Sequence, residues 1–280
     1  MSYFTDKTIL VTGAGSGIGR ELARQAVERG ATVIATDINE VTLAETQQLA
    51  GGSLTTYRLD VSDATAILSF AASVIPTLAP ERPLILVNNA GVALASGPFS
   101  QTDLIDFEWL LSINLMGVIR MTKAFLPFMQ QHNRGQVVNL SSVFGLAGVE
   151  NQSAYCTAKF GVRGFSDVLR MELLDTGIGV TCVHPGGIKT NIAASARLGQ
   201  SGFVTEAMHK QGTASFADAA KTTPQRAATI IMEGIERRKA RILIGVDAQQ
   251  IEWVTRLFPT RYVSILKSRV QKVLGQAMSQ

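Results

Sequence analysis

Short apolar runs alternate with amphipathic helical patterns along most of this 280-residue chain, and no other feature of the sequence restricts the fold as strongly. Seven runs are typical of strands: TILVTGA, TVIATDI, TTYRLDV, LILVNNAG, QVVNLSS, GVTCVHPGG and RILIG. Strands that are apolar along their length and are followed by helices indicate a parallel sheet with both faces covered. The sequence therefore predicts one doubly wound α/β domain, with a seven-stranded parallel sheet flanked by helices.

The alternation of strands and helices is interrupted at about residues 191–223, between the sixth and seventh strands. This insertion is rich in Ala, Ser and Gly and has no strand pattern, so we expect an irregular, mobile lid. The main domain is predicted to span residues 1–248. Residues 249–280 are predicted to form a basic amphipathic C-terminal extension.

Composition and residue spacing predict the cellular compartment and the absence of a metal site. A hydrophobic content of 46% is that of a compact globular protein. Cys156 and Cys182 are predicted to be buried thiols in a reducing compartment, with a disulfide as the alternative. The chain shows neither a signal peptide pattern nor an apolar run of about 18 residues, so we expect a cytoplasmic protein without a membrane-spanning helix. The three histidines, His132, His184 and His209, lack metal-ligand spacing, so no metal is predicted. His184 is interpreted as a packing or hydrogen-bonding residue.

A glycine-rich turn joins the first strand to the first helix. The stretch TGAGSGIG occupies residues 12–19. Three of its glycines allow a tight turn, close approach to a pyrophosphate and packing of helix on sheet: Gly13, Gly17 and Gly19. The helix N-terminus would direct free amides and its positive dipole end at the phosphates. The turn predicts a Rossmann-type dinucleotide site.

Asp37 follows the second strand, eighteen residues beyond Gly19. At this distance a carboxylate meets the ribose hydroxyls of NAD, and it would repel the 2′-phosphate of NADP. No Lys or Arg stands at positions 14–16 to favour NADP. NAD is therefore predicted, with NADP as the less favoured cofactor. A plain surface acid is the alternative interpretation of Asp37, and the same ambiguity applies to Asp60.

Five further motifs complete a pattern along the chain. They are NNAG at 88–91, Asn114 in SINLMG, Ser142, Tyr155-x-x-x-Lys159 and PGGIKT at 185–190. With the glycine turn, their order and spacing resemble the short-chain dehydrogenase/reductase family from about Lys7 to Gly245. The resemblance implies an oxidoreductase that moves hydride between a nicotinamide and an alcohol or carbonyl carbon.

The resemblance also implies a catalytic set of Asn114, Ser142, Tyr155 and Lys159. Ser142 is chosen over Ser141 because thirteen residues separate it from Tyr155. Tyr155 would be the general acid or base, Lys159 would lower the pKa of Tyr155 and bond the nicotinamide ribose, and Ser142 would hold the substrate oxygen. Taken alone, Tyr155 and Lys159 are more typical of a packed aromatic and a solvated lysine one helical turn apart, and the other motifs favour the catalytic interpretation.

Asn114 is expected in a helix interior, where its buried amide must be satisfied. A helix kink, or a water joined to Lys159 that relays protons, would satisfy this amide. A hydrogen bond that fastens two helices is the alternative.

The predicted cofactor contacts come from the strand ends of one sheet edge. They are Gly13, Ser16, Gly17, Ile18, Gly19, Asp37, Ile38, Asp60, Val61, Asn89, Ala90, Gly91, Tyr155, Lys159, Pro185, Gly186, Ile188 and Thr190. By resemblance, NNAG supports the adenosine-ribose side and PGGIKT holds the nicotinamide amide. Asn88 and Asn89 are expected to bridge backbone groups near the cofactor.

The predicted substrate pocket is apolar. Its residues are Ser142, Val143, Phe144, Val149, Phe203 and Met208, with Leu146 and Val204 from the same segments. No Arg or Lys lies next to Ser142 to bind a carboxylate or phosphate, which favours a neutral, largely apolar secondary alcohol, ketone or aldehyde. As an alternative, the same apolar side chains would allow a lid to pack over the core.

The positive charge is concentrated towards the C-terminus. From Arg226 to Gln280 ten Lys or Arg face four acids, a net of +6, whereas the whole chain carries +4. Apolar residues of the extension recur at helical spacing: Ile251, Val254, Leu257, Phe258, Val263, Leu266, Val270 and Val273. Packing on the protein's own domain or on a sister subunit is favoured over contact with an anionic membrane, and nucleic-acid binding is not expected.

The resemblance implies a homodimer or homotetramer that acts on a small molecule. Two further functions remain as alternatives: a lipid- or steroid-type dehydrogenase held at a membrane by the basic extension, and a non-catalytic protein that senses NAD(H).

Overall fold

A computed structural model of the protein describes residues 2–265 and residue 267. The strands are β1 (Thr8–Thr12), β2 (Thr32–Asp37), β3 (Leu54–Arg58), β4 (Leu84–Asn88), β5 (Leu94–Ala95), β6 (Gly135–Leu140), β7 (Ile178–Pro185), β8 (Arg197–Leu198) and β9 (Arg241–Ile244). The helices are α1 (Gly17–Glu28), α2 (Glu40–Ala50), α3 (Ala64–Val74), α4 (Leu104–Asn114), α5 (Met116–His132), α6 (Ser153–Glu172), α7 (Glu206–Ala219), α8 (Pro224–Glu236) and α9 (Val246–Leu257).

Seven strands form one parallel sheet in the order β3-β2-β1-β4-β6-β7-β9. The predicted doubly wound sheet is confirmed. Side chains of β1 alternate between its two faces, as the pleat requires. Ile9 and Val11 join a core beneath α1 and α8, whereas Leu10 joins a second core with Phe125 and Leu169 of α5 and α6. Both faces are buried, which explains why the strands are apolar along their length.

The strand order reverses beside β1, which lies between β2 and β4. In open α/β sheets ligands bind in the crevice beyond the carboxyl ends of the strands at such a reversal. The glycine turn follows β1 and the NNAG motif follows β4, so both lie at this crevice. The carboxyl ends of β6 and β7 lead into Ser142 and the PGGIKT motif at the same edge.

The insertion at 191–223 is more ordered than its composition predicts. It contains β8, which pairs in parallel with β5, and the fourteen-residue helix α7. Thr205 caps α7 by accepting a hydrogen bond from the amide of Met208 (3.3 Å). The prediction of an irregular segment without a strand is wrong, because a two-residue strand is too short to show a period-2 pattern. Its partner β5 follows directly on the NNAG loop.

Helix α9 begins at Val246 and so spans the predicted boundary at 248. Its buried side consists of Ala248 and Glu252. Leu257 and Phe258 were expected on a packed apolar face, but they are 64% and 47% exposed. Packing through these two side chains on the protein's own domain is therefore wrong. The predicted face also included Leu266, Val270 and Val273, which lie outside the described residues.

The structure bears on the two cysteines and on membrane-spanning helices. Cys156 and Cys182 are both free and buried, so the buried thiols are confirmed. Within residues 2–265 and 267, no helix is long and apolar enough to cross a membrane.

Candidate active site

The glycine turn after β1 brings the backbone close to the NNAG loop. Gly13 adopts φ +65°, and a Cβ there would lie 2.7 Å from the Cα of Ala90. A Cβ on Gly19 would overlap the carbonyl oxygen of Gly13. Ser16 precedes α1 and is exposed, and Gly17 and Ile18 open the helix. The N-terminus of α1 thus presents amides and a hydroxyl at the crevice, which suits the phosphates of a dinucleotide.

Asp37 at the end of β2 is tied to the glycine turn. Its Oδ2 accepts a hydrogen bond from the Gly15 amide (2.8 Å), and its Oδ1 accepts one from the Asn39 amide (2.9 Å). The side chain of Ile38 beside it is 54% exposed. These contacts hold a carboxylate and an apolar surface beside the turn.

Asp60 and Val61 follow β3 on the same side of the crevice. Asp60 Oδ1 accepts hydrogen bonds from the amide (2.8 Å) and the hydroxyl (2.7 Å) of Ser62. Val61 is buried, and a Cβ on Gly117 of α5 would lie 2.9 Å from its Cγ2. Val61 therefore packs on α5 after the end of β3.

Asn89 braces the glycine turn from β4. Its Nδ2 donates to the carbonyls of Thr12 (2.9 Å) and Gly13 (3.0 Å). The Thr12 hydroxyl accepts hydrogen bonds from the amides of Asn89 and Ala90 (3.0 Å each). The prediction that Asn89 bridges backbone groups is confirmed.

Asn88 points to a different network. Its Nδ2 donates to Thr122 Oγ1 (3.0 Å) and to Asn139 Oδ1 (2.8 Å), and Asn139 donates to Ser166 Oγ (2.9 Å). The prediction that Asn88 bridges backbone groups is wrong, because strand alternation turns it towards the side chains of β6 and α5 instead.

Ser142, Tyr155 and Lys159 come together where β6 ends and α6 begins. Ser142 Oγ accepts a hydrogen bond from the amide of Phe144 (3.1 Å), which closes a short turn at Val143–Gly145. Tyr155 and Lys159 lie one helical turn apart, and the Lys159 Nζ is 5.5 Å from the centre of the Tyr155 ring. Lys159 Nζ donates to the carbonyl of Leu140 (2.9 Å).

Burial controls the titration of this group. It raises the pKa of Tyr155 to about 12, while a hydrogen bond with the Ser142 side chain acts in the opposite direction. Burial also lowers the pKa of Lys159 to about 8. Burial is the largest influence on the Tyr155 phenol in this arrangement, and the lowering of its pKa by Lys159 stays a prediction. At neutral pH the phenol therefore keeps its proton.

Asn114 ends α4, and Leu115 (φ −118°, ψ −58°) separates that helix from α5. The side chain binds the backbone of Val92 twice: Oδ1 accepts from its amide and Nδ2 donates to its carbonyl, at 2.8 Å each. The prediction of a helix-interior position is wrong, and an interruption between helices is found instead. A Cβ on Gly91 would lie 3.4 Å from Asn114 Oδ1 and 3.7 Å from Lys159 Nζ, so the three residues adjoin.

The PGGIKT motif passes over the glycine turn. Pro185 ends β7, and Ile188 forms a parallel bridge with Thr222 of the insertion. The Cγ2 atom of Thr190 lies 3.1 Å from the position that a Cβ on Gly17 would occupy. The structure thus brings Thr190 to the N-terminus of α1, across the crevice from Asp37.

Asp247 was not found from the sequence. It lies in the first turn of α9, and its Oδ2 accepts a hydrogen bond from the amide of Gly187 (2.7 Å). A Cβ on Gly186 would overlap the same carboxylate. Sixty residues separate Asp247 from Gly187, so no local pattern could connect it to the PGGIKT motif.

A second residue missed from the sequence, Asp106 of α4, attaches the insertion to the main domain. Its fully buried carboxylate accepts from the amide of Gln200 (2.7 Å) and pairs with Arg197 (3.1 Å). The guanidinium of Arg197 lies 4.8 Å from the ring centre of Trp109. The first part of the insertion is therefore anchored on α4.

The predicted substrate-pocket residues occupy three kinds of environment. Phe144 is half-buried with its ring edge-on to Tyr155 (5.9 Å between ring centres). Buried residues are Val143, Leu146 and Val204; half-buried residues are Val149 and Met208; Phe203 is exposed and lies against Gly97. Three apolar residues that the sequence analysis did not name pack in the same cluster as Tyr155: Val92, Trp109 and Leu115.

His184 supports the turn that carries Ser142. It is fully buried, and its Nδ1 lies 2.9 Å from the carbonyl oxygen of Ser142, so Nδ1 bears the proton that it donates. Among the described residues, Nε2 has no hydrogen-bond partner. The interpretation of His184 as a hydrogen-bonding residue is confirmed. Within the same part of the chain, no group of three or more His, Cys, Asp or Glu is arranged to hold a metal ion.

The buried His184 is expected to make the protein less stable in acid. Burial lowers the pKa of His184 to about 4, from an ordinary value of 6.5. Between these values the unfolded chain binds a proton that the folded protein does not, so stability falls as the pH drops through this range, by about 3 kcal/mol in all. His184→Asn keeps a donor for Ser142 and removes this titration. Thermal unfolding from pH 7 to 4.5 should show a smaller loss of Tm for His184→Asn than for the wild type.

His132→Asn is the control for this measurement, because His132 is half-buried and lies edge-on to the ring of Phe128. Its unfolding curve should follow that of the wild type. Equal acid sensitivity of the wild type and His184→Asn would show that His184 does not titrate in this range.

The architecture and these motifs can now be compared with known proteins. A family model described as short chain dehydrogenase matches residues 7–201. The chain belongs to this family. The resemblance inferred from the motifs is therefore confirmed, and the protein is an oxidoreductase of this family with an NAD(P)-binding fold.

Similar proteins cover nearly the whole chain. SadH of Mycobacterium tuberculosis, a relative named as an oxidoreductase, is 37% identical over 97% of this chain and 98% of its own. Mouse retinol dehydrogenase 16 is 37% identical over 71% of this chain and 62% of its own. A Burkholderia phymatum short chain dehydrogenase/reductase in complex with NAD superposes with a TM-score of 0.80 at 26% identity, covering 92% and 95% of the two chains. Serine dehydrogenase complexed with NADP+ superposes with a TM-score of 0.74 at 28% identity, covering 85% and 94%.

Proposed function

We propose that this short-chain dehydrogenase/reductase moves hydride between NAD(H) and a neutral, largely apolar secondary alcohol or ketone, with Tyr155 as the general acid and base. The observation that carries the proposal is the cluster of Ser142, Tyr155 and Lys159 at the same sheet edge as the glycine turn. Phe144 packs edge-on against Tyr155, so the hydroxyl has an apolar neighbour. The similarity to a retinol dehydrogenase supports an apolar alcohol as substrate.

The proposed chemistry divides among the three side chains. Because burial raises the pKa of Tyr155 to about 12, its phenol is protonated at neutral pH and can donate to a carbonyl oxygen during reduction. The Ser142 side chain accepts from the Phe144 amide and hydrogen-bonds Tyr155, and we propose that its hydroxyl donates to the substrate oxygen as negative charge develops there. The nicotinamide, when bound, supplies or accepts the hydride.

Lys159 and Asn114 support this pair. The buried Lys159 is held by the carbonyl of Leu140, which places its positive charge beneath Tyr155. During alcohol oxidation this charge would stabilise the phenolate that must form. Asn114 holds the loop at Val92 beside Lys159, and we propose a positioning role for it, with the proton relay as the alternative.

The residues of the crevice fit a dinucleotide. The close approaches at Gly13 and Gly19 leave no space for side chains, and the N-terminus of α1 faces Thr190. We propose that the phosphates lie at this N-terminus, the adenosine beside Asp37, Ile38, Asp60 and Val61, and the nicotinamide along Gly186 to Thr190.

The test of the proposed activity is turnover with a matched substrate panel. NADH with neutral apolar ketones should give loss of nicotinamide absorbance, and keto acids of the same size should react more slowly. NADH binding without turnover of any ketone, aldehyde or alcohol, with NADPH equally inert, would instead support the NAD(H)-sensing alternative.

Asp37 is proposed to select NAD over NADP. Solved structures of similar proteins include one NAD complex and one NADP+ complex, so the relatives do not decide the cofactor. The proposed preference for NAD rests on the Asp37 carboxylate, which the amides of Gly15 and Asn39 hold in place. Asp37→Asn keeps the shape and one of the two acceptor oxygens, and it removes the charge that repels a 2′-phosphate. The ratio of kcat/KM for NADH to that for NADPH should fall by about tenfold or more, which corresponds to about 1.4 kcal/mol.

Asp63→Asn is the matched control for Asp37→Asn, because Asp63 caps α3 and is exposed. It should leave the ratio unchanged. If Asp37→Asn also leaves the ratio unchanged, another group sets the cofactor preference.

We also propose that the protein assembles as a homodimer or homotetramer. Large apolar side chains are exposed on α4, on α6 and just after α6: Leu104, Ile105, Val168, Met171 and Leu174. Sedimentation equilibrium would measure the mass, and a monomer at micromolar concentration would contradict this assembly.

A further inference from the structure

The outer side of α9 and the residues after it expose large apolar side chains. Val246, Trp253 and Leu257 are seven and four residues apart, so they share one helical face, and they are 68%, 64% and 64% exposed. Exposed apolar residues continue this face beyond the helix: Phe258, Val263 and Ile265. We call these six residues the C-terminal surface.

The charges around this surface are mainly positive. Glu252 is the last acidic residue of the chain. It is buried and pairs with Arg241 (2.6 Å) and Arg256 (2.6 Å), so its charge is compensated within the protein. Five basic residues lie between Glu252 and the C-terminus: Arg256, Arg261, Lys267, Arg269 and Lys272. Arg256, Arg261 and Lys267 therefore border the apolar surface, and one exposed acid, Asp247, lies at its N-terminal end beside Val246.

We propose that the C-terminal surface docks on an anionic lipid membrane. Apolar side chains with basic neighbours suit an interface where apolar groups enter the acyl boundary and Lys or Arg meet anionic headgroups. A second copy of the chain fits this surface less well, because a two-fold contact would place the basic residues of one copy against the same residues of the other. Glu252 is buried, and Asp247 already accepts a hydrogen bond from the amide of Gly187, so neither acid compensates the basic residues of a partner.

The docking surface adjoins the candidate active site. Tyr262 lies beside it, and the amide of Gly148 donates to the Tyr262 hydroxyl at 3.5 Å. Gly148 belongs to the loop between Ser142 and Tyr155, and α9 contacts the turn at Val143–Gly145. If the proposed function holds, an apolar alcohol or ketone dissolved in the membrane would reach Tyr155 beside the contact. This second step rests on the proposed function, whereas docking itself does not.

Vesicle sedimentation of the full-length protein tests the docking. Vesicles of phosphatidylcholine with phosphatidylglycerol should carry the wild type into the pellet, and vesicles of phosphatidylcholine alone should carry much less. The variant Arg261→Gln/Lys267→Gln should bind anionic vesicles roughly 30-fold more weakly, since each basic residue near such a surface contributes about fivefold. Trp253→Ser/Leu257→Ser should lose about tenfold or more.

The matched control is Val41→Ser/Leu49→Ser, which removes two apolar side chains of similar exposure from α2. It should bind vesicles as the wild type does. NADH binding by each variant shows whether its fold is intact. Because the sedimentation assay contains no alcohol or ketone substrate, a failure to dock can be distinguished from a failure of the proposed function. Absence of the wild type from the anionic pellet would overturn the proposal. Equal binding to both vesicle types would also overturn it. The same holds if the wild type is an oligomer that does not bind vesicles and that the Trp253→Ser/Leu257→Ser substitutions dissociate.

Discussion

Replacing Tyr155 with phenylalanine is expected to lower kcat by about a thousandfold while leaving the Kd of NADH within about twofold. The change removes the phenolic proton and keeps the ring that packs edge-on against Phe144. Because only the transferred proton is lost, the fold and the glycine turn should be unaffected. Stopped-flow turnover of an accepted ketone and fluorescence titration of NADH measure the two quantities.

Tyr57→Phe is the control for this variant, because Tyr57 of β3 packs its ring on Phe70 of α3 and does not belong to the cluster around Tyr155. It should retain full turnover. A Tyr155→Phe enzyme with more than about a tenth of the wild-type kcat would remove Tyr155 from the proposed mechanism.

Replacing Gly19 with alanine is expected to weaken NADH binding by about a hundredfold. The new methyl group would overlap the carbonyl of Gly13 and lie 2.5 Å from the Asn89 Nδ2 that braces the turn. Overpacking of a backbone contact costs about 1–3 kcal/mol, and about 3 kcal/mol corresponds to a hundredfold change in Kd. Isothermal titration with NADH measures the change.

Gly164→Ala provides a matched control in another helix. A Cβ at Gly164 of α6 would meet nothing within 4 Å, so this variant should bind NADH normally and gain up to about 1 kcal/mol of stability from its helix propensity. If Gly19→Ala binds NADH as tightly as Gly164→Ala does, the turn does not hold the dinucleotide in the proposed way.

Much of the fold could be predicted because its signals are local. A strand such as β1 is apolar along its length since both of its faces are buried, and this pattern is visible without knowledge of its neighbours. The glycine turn is equally local as a motif, since TGAGSGIG occupies eight adjacent residues, although the close neighbours of Gly13 are Asn89 and Ala90. The family follows from the order of such short motifs.

Long-range contacts could not be predicted in the same way. Asp106 is an ordinary acid in the first turn of a helix until Arg197 and Gln200 are brought to it from about ninety residues away. Asp247 likewise gains its role only when α9 places it against Gly187. Side-chain chemistry of this kind depends on which distant segments pack together.

The sequence by itself determined the parallel sheet, the dinucleotide turn and the residue types that meet at the strand ends, because the periodicity and spacing of each motif are properties of adjacent residues. Only the tertiary structure decided how these residues titrate and which surfaces remain exposed. Burial, which depends on the whole fold, raises the pKa of Tyr155. The same packing turns Ala248 and Glu252 inward and leaves Trp253 and Leu257 in solvent, although a helical pattern alone indicates the opposite.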